Sequence, residues 1–104
     1  MKPSEVLKEI RPRLGMAFGA RLRDVLLYGS RARGDARPDS DLDVMVVLEG
    51  PIRLSEDLGR AVDAIYPLQL EVDYPIHVSP VDVRDFQAQE YALYRNVRRE
   101  GVRI

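Results

Sequence analysis

The sequence predicts an α/β domain, a small mixed sheet flanked by helices, on three observations. Segments with apolar residues at helical spacing alternate along the chain with segments at strand spacing, the pattern of strands layered against helices. Two short apolar runs, Val25–Tyr28 and Leu42–Leu48, are each closed by a nearby glycine, as buried strands are at turns. The chain of 104 residues suffices for one domain, 1–104, that buries a core without crosslinks.

The elements follow in order. Ser4 is a good N-cap, and Val6, Leu7, Ile10 and Leu14 place one apolar face on a helix over Ser4–Phe18, with Pro12 expected to kink or break it. Val25–Tyr28 is a buried strand that Gly29 ends, and a short helical turn follows before Leu42–Leu48, the second strand, which stops at Gly50-Pro51. Ser55-Glu56-Asp57 reads as a helix start, with acidic residues where the helix dipole favours them. Leu58, Ala61, Val62 and Ile65 give that helix its apolar face, and Pro67 is expected to stop it. Leu68, Leu70, Val72, Tyr74, Ile76 and Val78 alternate with polar residues or proline, the period of a half-buried strand, with Tyr74–Ser79 its regular part. A last helix, opened by Val83-Arg84-Asp85 and running to about Arg99, carries Phe86, Ala88, Tyr91, Ala92 and Tyr94.

Composition excludes several classes. With 45% hydrophobic and 32% charged residues the chain reads as globular. It has no cysteine, which removes disulfides and thiolate metal sites. No apolar run approaches the roughly 18 residues of a membrane span. The N-terminus lacks the apolar segment of a signal peptide, so no membrane association and a cytoplasmic location are expected. The basic residues are nearly all arginine, with lysine only at Lys2 and Lys8. Arginine suits bidentate contact with phosphate or carboxylate, although a GC-rich or heat-adapted genome produces the same bias. The net charge of −1 argues against stable nucleic-acid binding through a broad basic field.

The chemistry is concentrated in LLYGSRARGDARPDSDLDVMVVLEG, Leu26–Gly50. Asp41 and Asp43 are two apart at the head of a strand and so share a face. Two neighbouring carboxylates repel unless a cation lies between them, and hard oxygen ligands suit magnesium or manganese. Gly29 after a buried strand lets the backbone approach a ligand. Ser30 offers a hydroxyl and an amide, Arg31 and Arg33 can neutralise a phosphate, and Gly34 closes the turn. Singly these are ordinary turn and loop features; it is the order strand, G-S-x-x-x-G, loop, S-D-x-D, strand that points to a nucleotide.

Gly29-Ser30-Arg31-Ala32-Arg33-Gly34 and Ser40-Asp41-Leu42-Asp43-Val44 resemble the motif of the minimal nucleotidyltransferases of the DNA polymerase beta superfamily. The resemblance implies that family's fold. It implies Gly29 and Ser30 on the triphosphate of ATP, two divalent ions, Mg2+ or Mn2+, on Asp41 and Asp43, and attack of a hydroxyl on the α-phosphorus with release of pyrophosphate. The family's third carboxylate stands on a later strand, and that position falls here on His77 of VDYPIHVSP. Asp73 shares the polar face but lies about 13 Å away along an extended strand. Either His77 or Asp73 completes the site, or the third ligand is missing; a half-buried histidine with a satisfied hydrogen bond is the plain alternative.

Stand-alone members of such a family often pair with a small helical HEPN-type toxin and transfer AMP to its tyrosine. The resemblance thus implies an adenylyltransferase acting as an antitoxin. The competing reading is a catalytically impaired nucleotide- or partner-binding module, and transfer to an aminoglycoside is a third. Phe86, Tyr91 and Tyr94 could form a partner surface or core. Homo- or hetero-oligomeric assembly is open.

Overall fold

The computed structural model describes residues 1–104. Helix α1 (Pro3–Phe18) leads through a single 3-10 turn to β1 (Leu22–Tyr28). A one-turn helix α2 (Ser30–Arg33), strand β2 (Leu42–Leu48), helix α3 (Leu54–Gln69) and strand β3 (Ile76–Asp82) follow. Helices α4 (Val83–Ala88) and α5 (Ala92–Glu100) and the short strand β4 (Val102–Arg103) complete the chain. The sheet has the order β3-β2-β1-β4. Strand β1 runs antiparallel to β2 and to β4, and β3 runs parallel to β2, so the sheet is mixed, as the alternation of elements predicts.

Strand β2 is central and continuously apolar, with Val44–Leu48 all buried, because both of its faces are covered. Leu42, Val44, Val46 and Leu48 face the layer of α1 and α3, where they join Val6, Ile10, Leu14, Phe18, Ala61 and Ile65 in one core. Met45 and Val47 point the other way, into a smaller core with Leu26, Val81 and Val97. Helix α3 is the crossover that a parallel β2–β3 pair requires.

Several boundaries differ from expectation for identifiable reasons. Pro12 does not break α1: it lies on the exposed face, where the carbonyl of Lys8 that loses its amide partner meets water. Pro67, also exposed, is carried inside α3 in the same way. Leu68 belongs to the helix and not to a strand, as the third member of the buried set Ala61, Ile65, Leu68. Alternating and helical periods overlap over so few residues, and the helical one wins because it buries Leu68. Gln69 then sets up β3, its side-chain amide donating to Tyr74 O (2.8 Å) and its carbonyl oxygen accepting from Ile76 N (2.7 Å). The single last helix expected over Val83–Arg99 is two helices, broken where Gln89 takes a left-handed conformation (φ 56°). Arg95 holds that break by donating to the carbonyls of Gln89 and Glu90 (2.8 and 2.9 Å). Phe86 and Tyr94 pack on the smaller core, while Tyr91, edge-on to Tyr94 at 5.6 Å, stays exposed.

At the sheet end away from the acidic motif, Asp57 is 4% exposed. It accepts from Arg21 Nη1 and Nη2 (2.9 and 3.1 Å) and from Arg53 N (3.0 Å). This ion pair ties the start of α3 to the turn before β1.

Candidate active site

The site is built where β1 ends, β2 begins and β3 begins. In the sheet Asp43 is level with Tyr28 of β1 on one side and with His77 of β3 on the other. Cross-strand partners share a face, so Tyr28, Asp43 and His77 form one row. The row below it, Leu26, Met45 and Ser79, joins the apolar floor of the smaller core, and Tyr28 Oη lies 3.5 Å from Ser79 Oγ. The aspartates of the motif therefore stand at the wet end of a face whose lower part is packed.

Asp41 immediately precedes β2 and is exposed, and its Oδ2 lies 3.1 Å from His77 Nε2. Asp43 is half-buried. Burial pushes its carboxyl above the ordinary range, the nearby His77 charge opposes this, and the neighbouring Asp41 charge adds to it. A cation between the two carboxylates would relieve both the burial cost and the repulsion. No group of three or more His, Asp or Glu side chains is gathered to enclose an ion unaided. The donor set is an open one, two carboxylates beside an imidazole, and a hard divalent ion that completes its sphere with substrate phosphates fits such a set.

Gly29 faces Asp43 across the β1–β2 pair. Its backbone (φ 76°, ψ −158°) is in a region that is essentially glycine's alone. A Cβ there would collide with Asp43 Oδ2. Glycine is thus required both by conformation and by the carboxylate lying against its Cα. Its carbonyl accepts from Ala32 N and Arg33 N (3.1 and 3.2 Å) and opens α2, whose first amides have no acceptor within the helix. Ser30 begins this turn and Gly34, at φ 81°, ends it.

The two arginines of the motif are placed differently. Arg33 is exposed, with contacts to Asp35 Oδ2 at 3.4 Å and Glu100 at 4.0 Å. Arg31 is turned into the loop. Its Nε and Nη2 donate to Ser40 O (3.0 and 2.7 Å), Nη2 also donates to Pro38 O (3.2 Å), and its guanidinium lies 4.1 Å from the centre of the Tyr74 ring. Ser40 Oγ accepts from Arg37 N (2.8 Å), which closes the turn ahead of Asp41. Arg31, Ser40 and Tyr74 together fix the loop that delivers the aspartates. Tyr74 carries no sequence signal for this part, since it meets Arg31 only through the fold. Asp73 is exposed and precedes β3, so the residue beside Asp43 is His77.

Comparison with known proteins agrees with this architecture. Residues 5–98 match the family described as "Nucleotidyltransferase domain". The chain is 28% identical to "Putative protein adenylyltransferase MJ0604" of Methanocaldococcus jannaschii over 97% of its own length and 96% of the relative's. It is 30% identical to "Putative protein adenylyltransferase MJ0141" of the same organism, over 78% of its length and 79% of the relative's. Its fold matches that of the spectinomycin adenyltransferase AAD(9) from Enterococcus faecialis, solved with ATP and spectinomycin, with a TM-score of 0.75 at 15% identity. That match covers 99% of this chain but 56% of the other. A toxin-antitoxin structure with AMP-PNP matches with a TM-score of 0.60 at 21% identity, over 93% of this chain and 70% of that one. The fold and the motif thus define an enzyme of nucleotidyltransferase type. The chain belongs to the nucleotidyltransferase domain family.

Proposed function

We propose that the chain moves an adenylyl group from ATP to a hydroxyl on another protein, as a cytoplasmic antitoxin whose acceptor is a small helical HEPN-type toxin. The observation that carries this reading is the strand register. Asp43 stands level with His77 and closes on the bare Cα of Gly29, so acidic pair, imidazole and phosphate turn share one end of the sheet. The names of the two relatives support adenylyl transfer to protein, and the toxin-antitoxin likeness supports the choice of partner.

In this reading Gly29, Ser30 and the first amides of α2 receive the triphosphate, and Arg33 neutralises it. Arg31 shapes the loop from behind. Asp41 and Asp43 would hold two divalent ions, Mg2+ or Mn2+, which supply charge stabilisation at the attacking and leaving oxygens. The acceptor oxygen attacks the α-phosphorus, its new O–P bond forms as the bond to the bridging oxygen breaks, and pyrophosphate leaves. Asp41 orients His77 through Nε2, and the imidazole takes the proton that the hydroxyl gives up.

The test is transfer of label from α-labelled ATP to the partner in the presence of Mg2+ or Mn2+. Asp41→Asn and Asp43→Asn are expected to abolish labelling. His77→Ala should lower it about 100-fold and remove an ionisation from the pH profile, while His77→Asp restores the family's acidic position and retains transfer. The placing of a histidine where the family has a carboxylate favours a second reading, a binding module without catalysis. Neutralisation of the partner that survives Asp41→Asn and Asp43→Asn, with no label transferred, decides for that reading.

A further inference from the structure

The proposed reaction gives no part to Tyr28, although it shares a row with Asp43 and His77. Its side chain is half-buried and packs on the smaller core. The sheet order places β2 between Tyr28 of β1 and Ser79 of β3. Neighbouring strands are about 4.8 Å apart, so β1 and β3 are separated by about 10 Å. Ser79 is also two residues further along β3 than His77, level with Met45 and not with Asp43. Tyr28 Oη nevertheless comes within 3.5 Å of Ser79 Oγ. Only an extended side chain running diagonally over β2 does that, and it must pass between Asp43 and Met45. Val44, between them in sequence, faces the other layer and does not obstruct the crossing.

The contact between the two hydroxyls is long and contributes little by itself, but it marks where the ring lies. The ring separates an acidic row from an apolar one. On its core side are Leu26, Met45 and Val47. On its outer side the half-buried Asp43 lies against the bare Cα of Gly29. The carboxylate is thus bounded at one side by glycine and underneath by an aromatic ring. The direction left to it is the one it shares with Asp41 and His77.

We infer that Tyr28 is a positioning residue of the cation site: its ring, laid across β2, is the floor that aims the Asp43 carboxylate and keeps its core side dry. The inference rests on the reading of Asp43 as a metal ligand. A carboxylate with fewer directions to take loses less freedom when an ion arrives. An apolar wall behind it excludes water and strengthens its attraction to the ion. Groups that orient metal ligands without touching the metal change affinity by about 10–100-fold.

Mn2+ alone, titrated into the full chain and followed by the electron paramagnetic resonance of the free ion, reads affinity without turnover. Tyr28→Ala is expected to weaken binding by about tenfold or more. Tyr28→Phe keeps the ring and gives up only the hydroxyl contact, so it should restore the binding that alanine loses. Tyr28→Leu still fills the core beside β1 but cannot reach over β2. It should therefore resemble Tyr28→Ala, and it serves where the alanine variant folds poorly. Val97→Ala opens the same small core from α5 and should lower the melting temperature without changing Mn2+ affinity. Full affinity in folded Tyr28→Leu, or an equal loss in Val97→Ala, overturns the inference. In a metal-free crystal structure of Tyr28→Leu the Asp43 carboxylate is expected to leave Gly29; a carboxylate that stays there overturns it too. If the unaltered chain binds no Mn2+, the reading of Asp43 as a ligand falls, and the role of Tyr28 with it. Bound Mn2+ that is indifferent to Tyr28 overturns the role of Tyr28 alone.

Discussion

Asp57 is the buried carboxylate on which a stability prediction is clearest. The Arg21 hydrogen bonds hold its carboxyl below the ordinary range, against burial, which pushes it up. In the unfolded chain it reverts to about 3.9. Between those two values the folded state binds fewer protons than the unfolded state, so the stability this pair gives is complete above about pH 4 and is lost as pH falls toward the folded value. Asp57→Asn leaves Arg21 without its counter-ion and should cost about 2–3 kcal/mol at neutral pH, less than a wholly buried pair because the guanidinium keeps some water. Denaturant melts from pH 7 down to pH 3 should show the gap between variant and wild type closing with acid. A gap that stays constant removes the ion pair as its cause.

The loop ahead of Asp41 is fixed by Arg31 and not by its own turns alone. Lysine cannot fork onto the carbonyls of Pro38 and Ser40 while stacking on Tyr74. Arg31→Lys should therefore loosen this loop and leave the sheet intact. Loss of about 1.4 kcal/mol from the closed loop corresponds to about tenfold faster amide exchange at Ser40, whose N–H donates to Arg37 O, with Val46 in mid-strand unchanged. Equal acceleration at both amides would mean global destabilisation instead. This element also shows where sequence reasoning ends. Asp41 and Asp43 could be brought together from a spacing of two and Gly29 from the strand that it terminates, because each rests on local geometry; His77 was singled out from Asp73 on the same polar face only by the resemblance to the family. The engagement of Arg31 could not be read, since its aromatic partner lies in a turn far along the chain. Strand β2 was legible residue by residue because burial on both faces leaves a continuous apolar run. The break at Gln89 was not, because a left-handed glutamine has no composition signal.

The same limit applies to the whole molecule, where β4 escaped a reading by period because two residues have none. Its place in the sheet nevertheless gives it weight. It pairs with Leu26 and Leu27 on the flank of β1 opposite β2, and Ile104 N donates to Val25 O at 3.1 Å. Arg103 Nε meets Asp24 at 3.0 Å, Arg11 Nη1 donates to Ile104 O at 3.2 Å, and Ile104 packs on the larger core. The ion pair is solvated and contributes little; the backbone bonds and the half-buried Ile104 contribute about 2 kcal/mol together. A chain stopped after Gly101 should then melt roughly 10 °C lower. It also bares the N–H and C=O groups of β1, an edge on which other chains can pair. The other edge, β3, is blunted by Pro80, which has no N–H to donate. Shortening the chain should therefore add large, concentration-dependent species by light scattering. If instead the shortened chain keeps its melting temperature and stays free of larger species, β4 neither supports nor covers the sheet.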